Sequence, residues 1–104
     1  MLRDKIIEAY YKYRENALER LVNPAHLQVV IRIKPGEFLK LRAEGVTFFY
    51  NNICHYIELL GRKTPIIIED DLPKEVEFIM ESQKDYEMHE QQKLLNRFYT
   101  MFEI

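Results

Sequence analysis

Hydrophobic positions recur along this chain with two periods, and the places where the period changes mark its elements. From Leu2 to Val22 the apolar residues Ile6, Tyr10, Tyr13, Ala17 and Leu21 step by three and four, and Ile7, Tyr11, Leu18 and Val22 widen the stripe. That spacing predicts a helix over 2–22. Asn23-Pro24 is expected to stop it, because a proline disfavours helical geometry in the residue before it. Leu27–Ile33 then alternates: Leu27, Val29, Ile31 and Ile33 face one way, and Gln28, Val30 and Arg32 the other. Alternation with β-branched residues predicts a strand. After a turn at Lys34-Pro35-Gly36, the segment Glu37–Glu44 reads as a short helix with Phe38, Leu41 and Leu39 inward, and Gly45 sits where a C-terminal cap belongs.

Val46–Leu60 supports two readings. At period 3.6, Phe49, Ile53, Tyr56, Ile57 and Leu60 share a helical face. At period 2, Val46–Tyr50 and Ile53–Leu59 are strands joined at Asn51-Asn52. The aromatic and β-branched content, and a pair of asparagines that tolerate the positive φ of a tight turn, favour the hairpin. Pro65–Glu69 carries the run Ile66-Ile67-Ile68, a strand pattern expected when both faces are covered. Asp70-Asp71-Leu72-Pro73 is a turn, and Val76–Glu81 alternates again with Val76, Phe78 and Met80 on one face. Ser82 can cap a last helix over Tyr86–Phe102, whose first half is polar and whose second half is nearly all apolar.

This order predicts an α+β fold in one domain spanning 1–104. A small, mostly antiparallel sheet of three to five strands is packed by a long N-terminal helix, a C-terminal helix and one short helix. Composition agrees: 104 residues with 47% hydrophobic and 31% charged content suit a single globular core. One cysteine excludes an internal disulfide framework. The apolar runs are too short for a membrane span, and the charged N-terminus lacks the h-region of a secretory signal, which points to the cytoplasm. The net charge of −2 is uneven: residues 1–52 carry nine Lys/Arg against six Asp/Glu, and residues 53–104 six against eleven.

Candidate chemistry is sparse. Cys54-His55 with Glu58 suggests thiol or metal work, but on a strand Cys54 and His55 point to opposite faces. A base for the thiol would have to come from His26 or His89 through the fold. Glu69-Asp70-Asp71 follows a strand and could hold Mg²⁺ for a phosphoester enzyme, although Asp-Asp-Leu-Pro also explains itself as a turn. Arg32, Lys34, Lys40 and Arg42, with Phe48 or Tyr50, could make a small nucleic-acid patch, against which stands a pI of about 5.9. No cofactor is expected.

The tyrosines carry more. Thirteen aromatics, seven of them Tyr, exceed what one small core hides. Tyr10 and Tyr13 are expected to face the core, while Ile7, Tyr11, Leu18, Leu95, Tyr99 and Met101 are expected to form an interface. Apolar patches of this kind mark association. The expectation is a small non-enzymatic protein that self-associates as a dimer or larger homo-oligomer, with no membrane or nucleic-acid partner. The stretch LLGRKTPIIIEDDLP, Leu59–Pro73, resembles a segment of tailed-phage and prophage structural proteins of the capsid type through Gly61, Pro65, Ile66, Ile67, Ile68, Asp71, Leu72 and Pro73. The resemblance extends over residues 27–80 and implies a phage-like origin and no enzyme activity.

Overall fold

A computed structural model describes residues 1–21, 28–50 and 54–102 of the chain, with side chains as far as Tyr99. Helix α1 (Leu2–Glu19) is followed by β1 (Val29–Ile33), α2 (Pro35–Ala43), β2 (Phe49–Tyr50), β3 (His55–Leu59), β4 (Arg62–Ile68), β5 (Phe78–Ser82) and α3 (Gln83–Phe102). The five strands form one sheet in the order β2-β3-β4-β1-β5. The fold is α+β. The sheet is mixed: β1 runs parallel to β4, with Ile31 opposite Ile66, while the other three pairings are antiparallel. The parallel pair arises because α2 and the β2–β3 hairpin lie between β1 and β4 and return the chain to its starting end, as a crossover connection does.

The hairpin reading of 46–60 is the observed one, since Phe49 pairs with Tyr56 and Tyr50 with His55; its Asn51-Asn52 turn lies outside the described residues. A second hairpin joins β3 to β4 through Leu60 (φ 49°) and Gly61 (φ 82°), a two-residue turn with both φ values positive. That turn starts β4 at Arg62, three residues before the expected Pro65. Helix α2 also begins early, because Pro35 occupies its first turn, where a missing N–H costs nothing. Its end has the Schellman geometry: the Val46 N–H donates to the Leu41 carbonyl, the Gly45 N–H donates to the Arg42 carbonyl, and Gly45 has φ +87°. Helix α1 closes before the expected position 22, with Leu21 at φ 61°; Asn23-Pro24 lies outside the described residues.

The core lies between one face of the sheet and the pair α1 and α2. Leu2, Ile6 and Tyr10 of α1 and Phe38 and Leu41 of α2 close over Val29, Ile31, Ile33, Ile57, Leu59 and Ile66. Tyr13, Phe78 and Met80 pack against its margin, as their periods predict. Leu39 is exposed, correcting its inward assignment. The isoleucine run is not covered on both faces: Ile66 is buried, Ile67 half-buried and Ile68 exposed. Every residue of β1 is buried, because α3 lies over its other face.

Candidate functional site

Alternation along β1 sends Val29, Ile31 and Ile33 into the core and turns Arg32 to the opposite face. There Arg32 is 6% exposed and meets carboxylates from three directions. Its Nε donates to Glu81 Oε1 at 2.6 Å, and its Nη1 donates to Glu69 Oε1 and Oε2 at 3.0 and 3.2 Å. Among the described residues its Nη2 has no hydrogen-bond partner, and it lies 3.5 Å from Glu90 Oε1. The guanidinium sits 4.8 Å from the Tyr86 ring centroid, within cation–π range. Lys93 Nζ approaches Glu69 at 3.7 Å and Glu90 at 3.6 Å, and His89 Nδ1 lies 2.9 Å from Glu81 Oε2.

Sheet register and helix period build this cluster. Glu81 stands two residues along β5 from Ile79, the residue opposite Arg32, and so shares its face, while Glu69 directly follows β4. Ser82 Oγ accepts from the Asp85 N–H and starts α3 straight out of β5, so the next turns pass back over β1. Burial works against the Arg32 charge, but the hydrogen bond to Glu81 and the charges of Glu69 and Glu81 outweigh it and raise its pKa. Burial is also the main reason the Tyr86 phenol is raised, with Glu90 adding to the shift and Arg32 opposing it.

The cluster fixes which side of α3 faces inward. Among the described side chains of the helix, Gln83, Tyr86, Glu90 and Lys93 are the half-buried ones, and from Leu94 to Tyr99 every residue is exposed. The outer side carries Met88 (57% exposed), Leu94 (63%), Leu95 (49%), Phe98 (55%) and Tyr99 (62%). An ordinary surface helix buries its apolar stripe and exposes its charges. Here the body holds the charged side, and the apolar side is turned to solvent.

The expected candidate residues are distributed otherwise. Glu69 is turned inward onto Arg32, apart from the exposed Asp70 and Asp71, and no group of three or more metal-ligating side chains occurs among the described residues. Arg32 is enclosed, Lys34 Nζ donates to the Lys74 carbonyl and Lys40 Nζ donates to Glu37, so with exposed Arg42 they make no common patch. Cys54 is a half-buried thiol outside any disulfide, and His55 stacks among Phe38, Phe48 and Tyr50 on the core side. His26 lies outside the described residues, and His89 is exposed at the cluster's rim. Of the expected interface, Tyr11 and Leu18 are exposed on α1, Leu95 and Tyr99 are exposed on α3, Ile7 packs partly against the core, and the Met101 side chain lies outside the described residues. A cavity of about 680 Å³ opens between the end of α1 and the β5–α3 junction, beside Tyr13, Asn16, Arg20, Gln28 and Lys84. The buried ion cluster was missed because its members lie far apart in sequence; the one available signal was an arginine inside an otherwise apolar strand.

Comparison with family models, curated proteins and solved structures returns no match for this chain.

Proposed function

We propose that this chain is a small non-enzymatic interaction or structural protein that acts by self-association. The observation that carries the reading is the outward apolar side of α3. A contiguous patch of Leu94, Leu95, Phe98 and Tyr99, each about half exposed or more, is a surface that monomeric proteins rarely leave open. The most chemically capable side chains support it from the other direction: Arg32, Glu69, Glu81 and Lys93 neutralise one another in holding the helix in place. A phage or prophage origin belongs to the same proposal, and its support is the Leu59–Pro73 segment, which folds as the end of β3, its turn, β4 and the following bend.

Sedimentation velocity at ten to a hundred micromolar tests the reading. The expected result is an oligomer that dissociates on dilution; a monomer across the whole range refutes self-association.

A further inference from the structure

The outer side of α3 is ordered in a particular way. Met88, Gln91, Leu95 and Phe98 follow one another at steps of three, four and three, and in the sequence the next step of four reaches Phe102. These are the a and d positions of a heptad repeat, with Leu95 at a and Phe98 at d. Leu94 and Tyr99 flank the row at g and e, as do Glu87 and Gln92. His89, Glu90, Lys93, Asn96 and Arg97 fall at b, c and f, and the first three pair with Glu81, Arg32 and Glu69 on the sheet side. One helix thus has a polar face that grips the body and a heptad face that is exposed at Met88, Gln91, Leu95 and Phe98.

Length sets where the heptad face stands. The 20 residues of α3 make a rod of about 30 Å, whereas the five-residue strands β1 and β5 span about 17 Å. Among the ion pairs of the described residues, the one farthest along α3 joins Lys93 to Glu69, directly after the end of β4. The described side chains from Leu94 to Tyr99, all of them exposed, form an overhang past that point.

We infer that the occupant of this overhang is the α3 of a second copy, paired with it as a short parallel two-stranded coiled coil. The inference rests on the self-association reading and specifies its geometry. Charge favours an identical partner: around Leu95 and Phe98 the a, d, e and g positions Gln91, Gln92, Leu94 and Tyr99 are all uncharged, so a copy meets no like charge there. Parallel register follows from Gln91. It is the one polar residue in the row from Met88 to Phe98, and in a parallel pair its amide meets the same amide of the copy, which can both donate and accept. In an antiparallel pair centred on Leu95 it would be buried against an aromatic ring. A lone polar residue in a coiled-coil core selects register in this way. Size sets the strength. Exposed side chains from Met88 to Tyr99 offer on the order of 500 Å² per copy, which puts the pair near the lower edge of specific interfaces, roughly 1,200 Å² in total. Two heptads on a helix already docked by Arg32 therefore give a micromolar dimer.

The test uses the full chain. Leu95→Glu/Phe98→Glu changes only exposed positions and should leave the far-ultraviolet circular dichroism unchanged. It is expected to raise the dimer dissociation constant at least tenfold, while Tyr11→Glu/Leu18→Glu on α1 leaves it within twofold. Gln91→Cys in a Cys54→Ser background is expected to form a disulfide-linked dimer with oxidised glutathione. A dimer lost in the α1 variant and kept in the α3 variant overturns the coiled coil and leaves self-association standing. A dimer that depends on α3 but does not cross-link at position 91 overturns the parallel register. A monomeric parent removes both.

Discussion

Arg32 is the residue on which the outer half of the molecule turns. Taking an ion out of water costs several kcal/mol, and here the cost is met by Glu81, Glu69 and Glu90 together. Removing the cation leaves carboxylates facing one another under a helix. Arg32→Met should therefore lose about 3–5 kcal/mol. In a domain of this size that lowers the melting temperature by more than ~10 °C. Adding Glu69→Gln and Glu81→Gln should restore most of the loss, because it is the uncompensated charge that destabilises. A thermal melt of the single and triple variants checks both statements.

Tyr86 supplies a pH test at the same scale. Its phenol is raised above its ordinary value of 10.0, so the folded state holds its proton longer than the unfolded chain does. The stability this contributes is fully present below pH 10 and is lost as pH rises through the folded-state value. Tyr86→Phe has no such proton to lose. Denaturant titrations should show a smaller fall in stability above pH 10 for the variant than for the parent, and equal falls would contradict the burial of this phenol.

At the scale of the element, α3 is two structures end to end. Its first half carries the half-buried Gln83, Tyr86, Glu90 and Lys93, and beyond them every described side chain, Leu94 to Tyr99, is exposed. Deleting residues 94–104 should cost the body less than ~1 kcal/mol, since surface changes away from packed features stay small. The same deletion should abolish association. Differential scanning calorimetry and sedimentation on one sample separate the two effects. The other elements are conventional by comparison: α1 buries Leu2, Ile6, Tyr10 and Ala17, α2 buries Phe38 and Leu41, and the β3–β4 hairpin turns on the positive φ that Gly61 adopts without strain.

Over the whole molecule the overhang shows in the dimensions. The radius of gyration is 15.3 Å, against about 13 Å for a compact domain of this length. The sheet is covered unevenly to match: α1 and α2 close one face, while α3 crosses β1 and β5 on the other and leaves β2, β3 and β4 with exposed Phe49, Glu58 and Lys63.

What the sequence determined by itself is what near neighbours along the chain decide. Periods of 3.6 and 2 placed the helices and strands within a few residues, assigned Val29, Ile31 and Ile33 to one face, and placed Ser82 as a cap. Short-range sterics and side-chain alternation are local, and so is their signal. The boundaries that moved, at Pro35 and Arg62, did so through a helix N-terminus and a two-residue turn with cross-strand pairing. The parallel pairing of β1 with β4 and the meeting of Arg32 with Glu69, Glu81 and Glu90 were decided only in three dimensions. Those contacts join residues 35 to 58 positions apart, and no spacing rule reaches that far. The face of α3 that points inward was settled the same way. Its apolar and polar sides are both legible in the sequence, but which one the body takes depends on whether the opposing strand presents an isoleucine or an arginine.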